Sequence, residues 1–360
     1  MTTGADAKRL VSALLAERGH ANVLIAGASG VGKSTLVNAV FGAELAAVGQ
    51  GRPVTTAVAE IARDGFPLTL FDTRGLEIER YAETLAEVEA LILRRRQETD
   101  PNRHLHVAWL CVAEESRRVQ EGESRLLRLL ATHVPTLVLV TKARSDHGFA
   151  REVRRLMPEA TDVLRVRALA EHDEEGHRLA PRGLAELVER TRRLLPEGQR
   201  RALIAAQRVA IERKREAGLE VVKRFERLAA GAGATPIPWV AAGVLVPVQL
   251  AMRDGIHAAL GLARGLTDRD FLRAITVHGA RRGNVAKALV GEVLKSAVLV
   301  GTAAGSALSG HAASVATRRT GTAYVSAICG LLDGASGPPD RAAILARFVE
   351  ELAVKPRRAR

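Results

Sequence analysis

Asn22-Val23-Leu24-Ile25-Ala26-Gly27-Ala28-Ser29-Gly30-Val31-Gly32-Lys33-Ser34-Thr35-Leu36-Val37-Asn38-Ala39-Val40-Phe41 decides how the first half of this chain folds. An apolar run of strand length enters a glycine-rich turn with Gly-x-x-x-x-Gly-Lys-Ser spacing and leaves in a helix-compatible segment. That order reads as strand, phosphate-binding loop and helix. The glycines let successive backbone N–H groups point inward at a phosphate, and the helix N-terminus turns its positive dipole end toward the same anion. Phosphate contacts are expected from Gly27, Ala28, Ser29, Gly30, Val31, Gly32, Lys33, Ser34 and Thr35. Lys33 would reach the β and γ phosphates, and Ser34 would offer its hydroxyl to magnesium.

Working outward, short β-branched runs alternate with helical patterns from Asn22 to about Leu195, the signature of a mostly parallel sheet with helices on both faces. Ala57 to Arg63 and Pro67 to Phe71 read as an antiparallel ribbon joined through Asp64-Gly65. The second of these strands ends in Asp72-Thr73-Arg74-Gly75. Asp72 is positioned there to hold magnesium, and Gly75 to turn its N–H toward the γ phosphate. Between helix and ribbon, Glu44 to Thr56 is irregular and reads as a switch loop. Its Pro53-Val54-Thr55-Thr56 offers a threonine hydroxyl to the metal; spacing does not choose between Thr55 and Thr56, and Thr55 is taken first.

Further on, Val138-Leu139-Val140-Thr141-Lys142-Ala143-Arg144 ends a buried strand. By this point the order of elements resembles the translation-factor-like GTPases of the Era and interferon-inducible kind, whose guanine-reading motif is Asn/Thr-Lys-x-Asp. The resemblance implies GTP/GDP as the nucleotide, magnesium as its metal, and Thr141 and Lys142 as base contacts, with Ala168 in the loop that backs the base. Arg144 stands where the resemblance places an aspartate, and an arginine accepts no hydrogen bond. Asp146, two residues later, is the substitute if the loop is longer. Leu76 replaces the glutamine that orients water in Ras-like enzymes, so slow hydrolysis is expected. Gly30 replaces the asparagine of potassium-stimulated relatives, so no potassium dependence is expected. Val107-Ala108-Trp109-Leu110-Cys111-Val112, with Ser116-Arg117-Arg118 and Glu121, looks like the fourth-strand signature of a bacterial GTPase family. Thr235-Pro236-Ile237-Pro238 and Val246-Pro247-Val248-Gln249 are similar to a YcjF-type helical domain of unknown function.

Charge divides the chain of 360 residues unevenly. Residues 1–199 carry 28 Lys+Arg and 28 Asp+Glu, so the whole formal +13 lies in residues 200–360. The expected organisation is an N-terminal helix (1–20), an α/β P-loop NTPase G domain (21–198), a basic all-α domain (199–352) and a disordered tail (353–360). Cys111 and Cys329 have no paired spacing, which fits a reducing cytosol and excludes a disulfide or zinc framework. Leu228 to Met252 and Ser296 to Thr317 hold no Lys, Arg, Asp or Glu. They read either as segments entering or lying on an anionic membrane, where each basic side chain adds about 1 kcal/mol, or as core helices of a soluble bundle. Few aromatics and no RNA-binding signature argue against nucleic acid.

The expectation is therefore a cytoplasmic GTP-binding switch that hydrolyses GTP slowly and controls a basic helical domain at a membrane surface or protein partner. A homodimer through the G domain is one source of the missing hydrolytic group. The alternatives are a nucleotide-binding interaction module with little turnover and an RNA- or ribosome-associated GTPase.

Overall fold

The computed structural model describes residues 3–42, 52–53, 58–73, 81–172, 175–232, 238–262, 265–278, 303–333 and 338–354. The chain divides into two units: Arg18–Ala210, and Met1–Glu17 together with Ile211–Arg360. The division thus falls at 210 rather than 198, and the N-terminal helix α1 (Thr3–Arg18) groups with the C-terminal helices instead of standing alone.

In the α/β unit the chain runs β1 (Ala21–Ala26), α2 (Lys33–Phe41), β2 (Arg52–Pro53), β3 (Val58–Ala62), β4 (Leu68–Thr73), α3 (Tyr81–Arg96), β5 (Val107–Ala113), α4 (Glu121–His133), β6 (Thr136–Thr141), α5 (Phe149–Leu156) and β7 (Asp162–Arg165). A short hairpin, β8 (Glu171–His172) and β9 (Arg178–Leu179), precedes α6 (Leu184–Leu194) and α7 (Glu197–Ala206). The seven-stranded sheet has the order β2-β3-β4-β1-β5-β6-β7, antiparallel from β2 to β4 and parallel beyond. Every residue of β1 and of β6 is buried, which is why both read as continuous apolar runs rather than alternating ones.

Alternate residues of β5 serve opposite faces. Ala108, Leu110 and Val112 pack with Val88 and Leu91 of α3 and Leu126 and Leu130 of α4. On the other face Trp109 stacks on Phe41 of α2, ring centroids 5.9 Å apart, and its indole N–H donates to Thr191 Oγ1 of α6 at 3.1 Å. The helix that carries Lys33 is therefore held against the sheet by its last residue.

At the end of the sheet away from the glycine loop, His106 is buried and satisfied as a neutral ring. Its Nδ1 accepts from Asn22 N–H at 2.9 Å and its Nε2 donates to Pro101 O at 3.0 Å. Burial is the main cause that takes its pKa down to about 4.

The helical unit comprises α1 with α8 (Ile211–Ala232), α9 (Pro238–Leu260), α10 (Asp268–Arg273), a π-helical turn (Ala274–His278), α11 (Ala303–Leu332) and α12 (Arg341–Ala353). α7 and α8 are separate helices, because Gln207 Oε1 takes the N–H groups of Val209 and Ala210 and stops α7. Phe271, Tyr324 and Phe348 form the aromatic centre, with Phe271 and Phe348 stacked at 5.4 Å and Tyr324 edge-on to Phe348 at 4.9 Å. Gly321 of α11 lies where a Cβ would meet Val222 Cγ2 at 2.6 Å and Met252 Sδ at 2.8 Å, so three helices approach over one missing methyl. His257 Nε2 lies 2.6 Å from Tyr324 OH, and burial brings its pKa down to about 4 as well.

Among the described residues no helix is long and apolar enough to cross a membrane. The span considered over 228–252 is not one helix: α8 ends at Ala232, and α9 starts at Pro238 and carries Arg253 and Asp254. Residues 296–302 of the second uncharged stretch, and the tail 355–360, lie outside the described residues.

These two histidines give a pH dependence. Each has a folded pKa below its unfolded value of about 6.5, so the unfolded chain takes up protons that the folded chain refuses. Stability is full above about pH 6.5 and falls by up to about 3 kcal/mol per histidine as the pH drops toward 4. Urea unfolding at pH 7 and pH 4.5, followed by the fluorescence of Trp109 and Trp239 together, should show the lower midpoint at pH 4.5. The His106→Gln variant should lose part of that difference, whereas equal midpoints for the unmutated chain would contradict the burial argument.

Candidate functional site

The turn after β1 is shaped by its glycines. Gly27 has φ 145°, and a Cβ there would sit 2.5 Å from the Cys111 carbonyl oxygen of β5, so only glycine lets the loop lie against that strand. Gly30 (φ 74°) and Gly32 (φ 96°) are left-handed with open space around them. Gly32 caps α2 without any side-chain hydrogen bond, leaving the first-turn N–H groups available to an anion. Val31 is buried, whereas Ser34 and Thr35 are exposed at the start of α2. Lys33 Nζ lies 2.9 Å from Gly27 O and 3.2 Å from Ala28 O, an ammonium folded over the loop's own carbonyls.

Asp72 comes to this loop through the sheet: parallel pairing of β1 with β4 sets Asp72 opposite Ile25, two residues before Gly27. Burial raises its carboxyl above the usual carboxylate range, while the Lys33 ammonium opposes the rise. Its Oδ1 is buried with no hydrogen-bond partner. A buried, unpartnered carboxylate oxygen within electrostatic reach of Lys33, whose neighbour in the chain is the exposed Ser34, fits a hard cation shared with phosphate oxygens. Among the described residues no group of three or more His, Cys, Asp or Glu is placed to hold an ion. Thr55, Thr56, Gly75 and Leu76 lie outside the described residues.

The other side of the site is the loop after β6. Thr141 is buried, its Oγ1 2.7 Å from Val31 O and 3.2 Å from Val112 O, so it fastens the phosphate loop to β5 and β6. Lys142 adopts φ 51° and pairs with Glu115 at 3.1 Å. Asp146 serves as a helix cap: its Oδ1 accepts from Ala150 N–H at 2.9 Å and lies 3.4 Å from Arg165 Nε. Ala168 is half-buried, next to the bridge between Arg167 and Arg182.

Sequence reasoning missed the charged network beneath this loop. Glu114 is buried; its Oε1 accepts from Arg144 N–H at 2.7 Å and its Oε2 from Arg165 at 2.8 and 3.0 Å. Arg117 donates to the carbonyls of Ser145 and Asp146, each at 2.9 Å. Arg144 Nε pairs with Glu171 Oε2 at 2.8 Å. No motif spacing links 114, 144, 165 and 171; only an acidic pair directly after β5 hinted at them.

A strand–glycine loop–helix unit opening such a sheet, with a strand-end aspartate beside its lysine, is the arrangement of a P-loop nucleotide-binding domain. Residues 22–142 match the family model described as 50S ribosome-binding GTPase. Over 109 residues the chain is 38% identical to the tRNA modification GTPase MnmE of Ruegeria sp. (strain TM1040), a match that covers 29% of this chain and 24% of that protein. A dimerization-deficient mutant of Toc33 from Arabidopsis thaliana is similar at TM-score 0.33 and 15% identity, over 55% of this chain and 92% of that one. A structure of the chloroplast translocon components atToc33 and psToc159 is similar at TM-score 0.32 and 15% identity, over 55% of this chain and 91% of that one.

Proposed function

We propose that the protein is a GTP-hydrolysing switch whose nucleotide state governs its basic helical unit. The observation that carries this reading is the junction of Lys33, the open loop N–H groups of α2 and the unpartnered Asp72 Oδ1 at one end of the sheet. The G-domain match over residues 22–142 supports guanine as the base. Lys33 releases the loop carbonyls and pairs with the β and γ phosphates. The N–H groups from Gly27 to Thr35 hold the remaining charge, which grows at the β–γ bridge as the bond to the γ phosphate breaks. Ser34 and Asp72, with Thr55, are the residues that would hold magnesium. Bound there, magnesium supplies positive charge to the phosphate oxygens. Gly75 reads the γ phosphate through its N–H, and Leu76 offers nothing to orient water, so turnover is slow unless a second copy or a partner completes the site.

The helical unit, with 24 Lys+Arg against 14 Asp+Glu, is the effector end, suited to an anionic surface. A second reading is favoured by the matched family's description: the same basic unit would meet ribosomal RNA phosphates. Pelleting with anionic liposomes or with ribosomes at low and high salt separates the two.

Hydrolysis is tested by phosphate release from GTP. Lys33→Ala is expected to slow single-turnover release by a factor on the order of 100 to 1,000, the usual effect of removing one donor to transition-state charge. Release by the unmutated chain that Lys33→Ala leaves unchanged would sink the enzyme reading.

A further inference from the structure

The helix that follows the phosphate loop is closed at its far end by a residue from much further along the chain. α2 has nine residues, Lys33–Phe41, among them the β-branched Thr35, Val37 and Val40, and it has no basic side chain of its own in its last turn. A helix this short is marginal by itself, so the groups that close its ends decide how firmly it is held. The Asn38 carbonyl accepts from Gly42 N–H at 2.9 Å, and the Val40 carbonyl from the backbone N–H of Arg208 at 2.8 Å. Gly42 adopts φ 95°, and a Cβ there would meet Arg208 Cζ and Nη1 at 2.6 Å and Nε at 2.9 Å. The guanidinium therefore lies across the chain where α2 ends, and a cation at that place faces the negative end of the helix dipole. Arg208 is also stiffly mounted. Gln207 before it is fully buried, with Oε1 accepting from Val209 and Ala210 N–H and Nε2 donating to Ala210 O at 3.1 Å. Ile211, the next residue, opens α8 of the helical unit.

We propose that Arg208 is a positioning residue for the nucleotide. It clamps the carboxyl end of α2 and so holds Lys33 and the first-turn N–H groups, about 13 Å away at the other end of the helix, where the phosphates need them. The proposal rests on the GTPase reading above. Coupling between two sites is reciprocal: a nucleotide that binds better when Arg208 is seated must in turn seat Arg208 more firmly. Occupancy of the phosphate loop therefore stiffens residues 207–210, the stretch through which the chain enters α8. That gives the switch a physical step between the nucleotide and the helical unit, carried by one helix with a ligand at each end.

The test is calorimetric titration of GDP into the full chain, with amide hydrogen exchange of residues 207–211 followed in the same proteins. Arg208→Ala is expected to weaken GDP about 3- to 10-fold, the size of a partly buried charge at a helix end, and Arg208→Met to match it. Arg208→Lys, which keeps the cation, should recover most of the affinity. GDP should slow exchange at 207–211 in the unmutated chain and slow it far less in Arg208→Ala, whereas a merely structural role would speed exchange equally with and without GDP. Cleavage of GTP by Arg208→Ala should show a raised KM with kcat within about twofold, since the clamp serves ground and transition states alike. Should the alanine variant fail to fold, the methionine and lysine variants carry the same comparison. Unaltered GDP affinity in Arg208→Ala, full affinity in Arg208→Met, or exchange at 207–211 that GDP does not change overturns the proposal. If one of these results appears while Lys33→Ala still abolishes GDP binding, the clamp fails and the phosphate site stands. GDP binding indifferent to Lys33→Ala removes the nucleotide reading and the proposal with it.

Discussion

Glu114→Ala lowers the stability of the α/β unit by about 3 kcal/mol and loosens the loop after β6, the largest single loss we expect outside the apolar core. The cause is a buried guanidinium that loses its close carboxylate and keeps only longer contacts, to Asp146 Oδ1 and Arg144 O at 3.4 Å each. Glu114 is 3% exposed and Arg165 16%, so removing the carboxylate strands the guanidinium in a poorly solvated place and frees Arg144 N–H as well. The slight exposure of Arg165 argues for the lower end of the range for broken buried pairs, about 3 to 5 kcal/mol. Glu114→Gln keeps an acceptor for Arg144 N–H and should cost less. Chemical denaturation of the three proteins checks this. A loss for alanine under about 1 kcal/mol, the size found for exposed pairs, would show that water already reaches the network.

Gly27→Ala is expected to lower GDP affinity by at least about 100-fold, because the loop that gathers several charge-assisted hydrogen bonds can no longer close. A Cβ would be 2.5 Å from Cys111 O and 3.1 Å from Val31 Cγ2, at a φ of 145° that alanine resists. Gly30→Ala is the contrast: φ is 74°, but nothing lies within 4 Å, so its cost is the left-handed backbone alone, about 1 to 2 kcal/mol. Calorimetric titration with GDP ranks the two. Equal affinity losses would mean that conformation, not the clash with β5, dictates glycine at both positions.

The contrast also shows which parts of the molecule could be read in advance. Local physics announced β1, the glycine turn, α2 and the β3–β4 ribbon, because burial on both faces and turn chemistry act over a few residues. Asp72 was legible because it ends a strand at a set distance downstream of the loop. Three features were not legible, for a common reason. The association of α1 with α8 to α12, the stop at Gln207 and the Glu114–Arg165–Arg144–Glu171 network each depend on partners distant in sequence or on a side chain turning onto nearby backbone. Asp146 was put forward as a base acceptor from its place two residues after Arg144; that its Oδ1 caps α5 at Ala150 N–H could not be read from that spacing. Thr141 matched a base-reading pattern; that its hydroxyl also ties the phosphate loop to the sheet was not legible.

The account turns on a G domain that binds and cleaves a guanine nucleotide through Lys33. The most direct measurement is phosphate release by the full chain from GTP and from ATP, under single-turnover conditions with magnesium. Slow release from GTP, with release from ATP at least about tenfold slower at equal concentration, is the predicted result, since one base-specific hydrogen-bond pair is worth about that much. Equal rates with the two nucleotides, or no release from GTP, would contradict it.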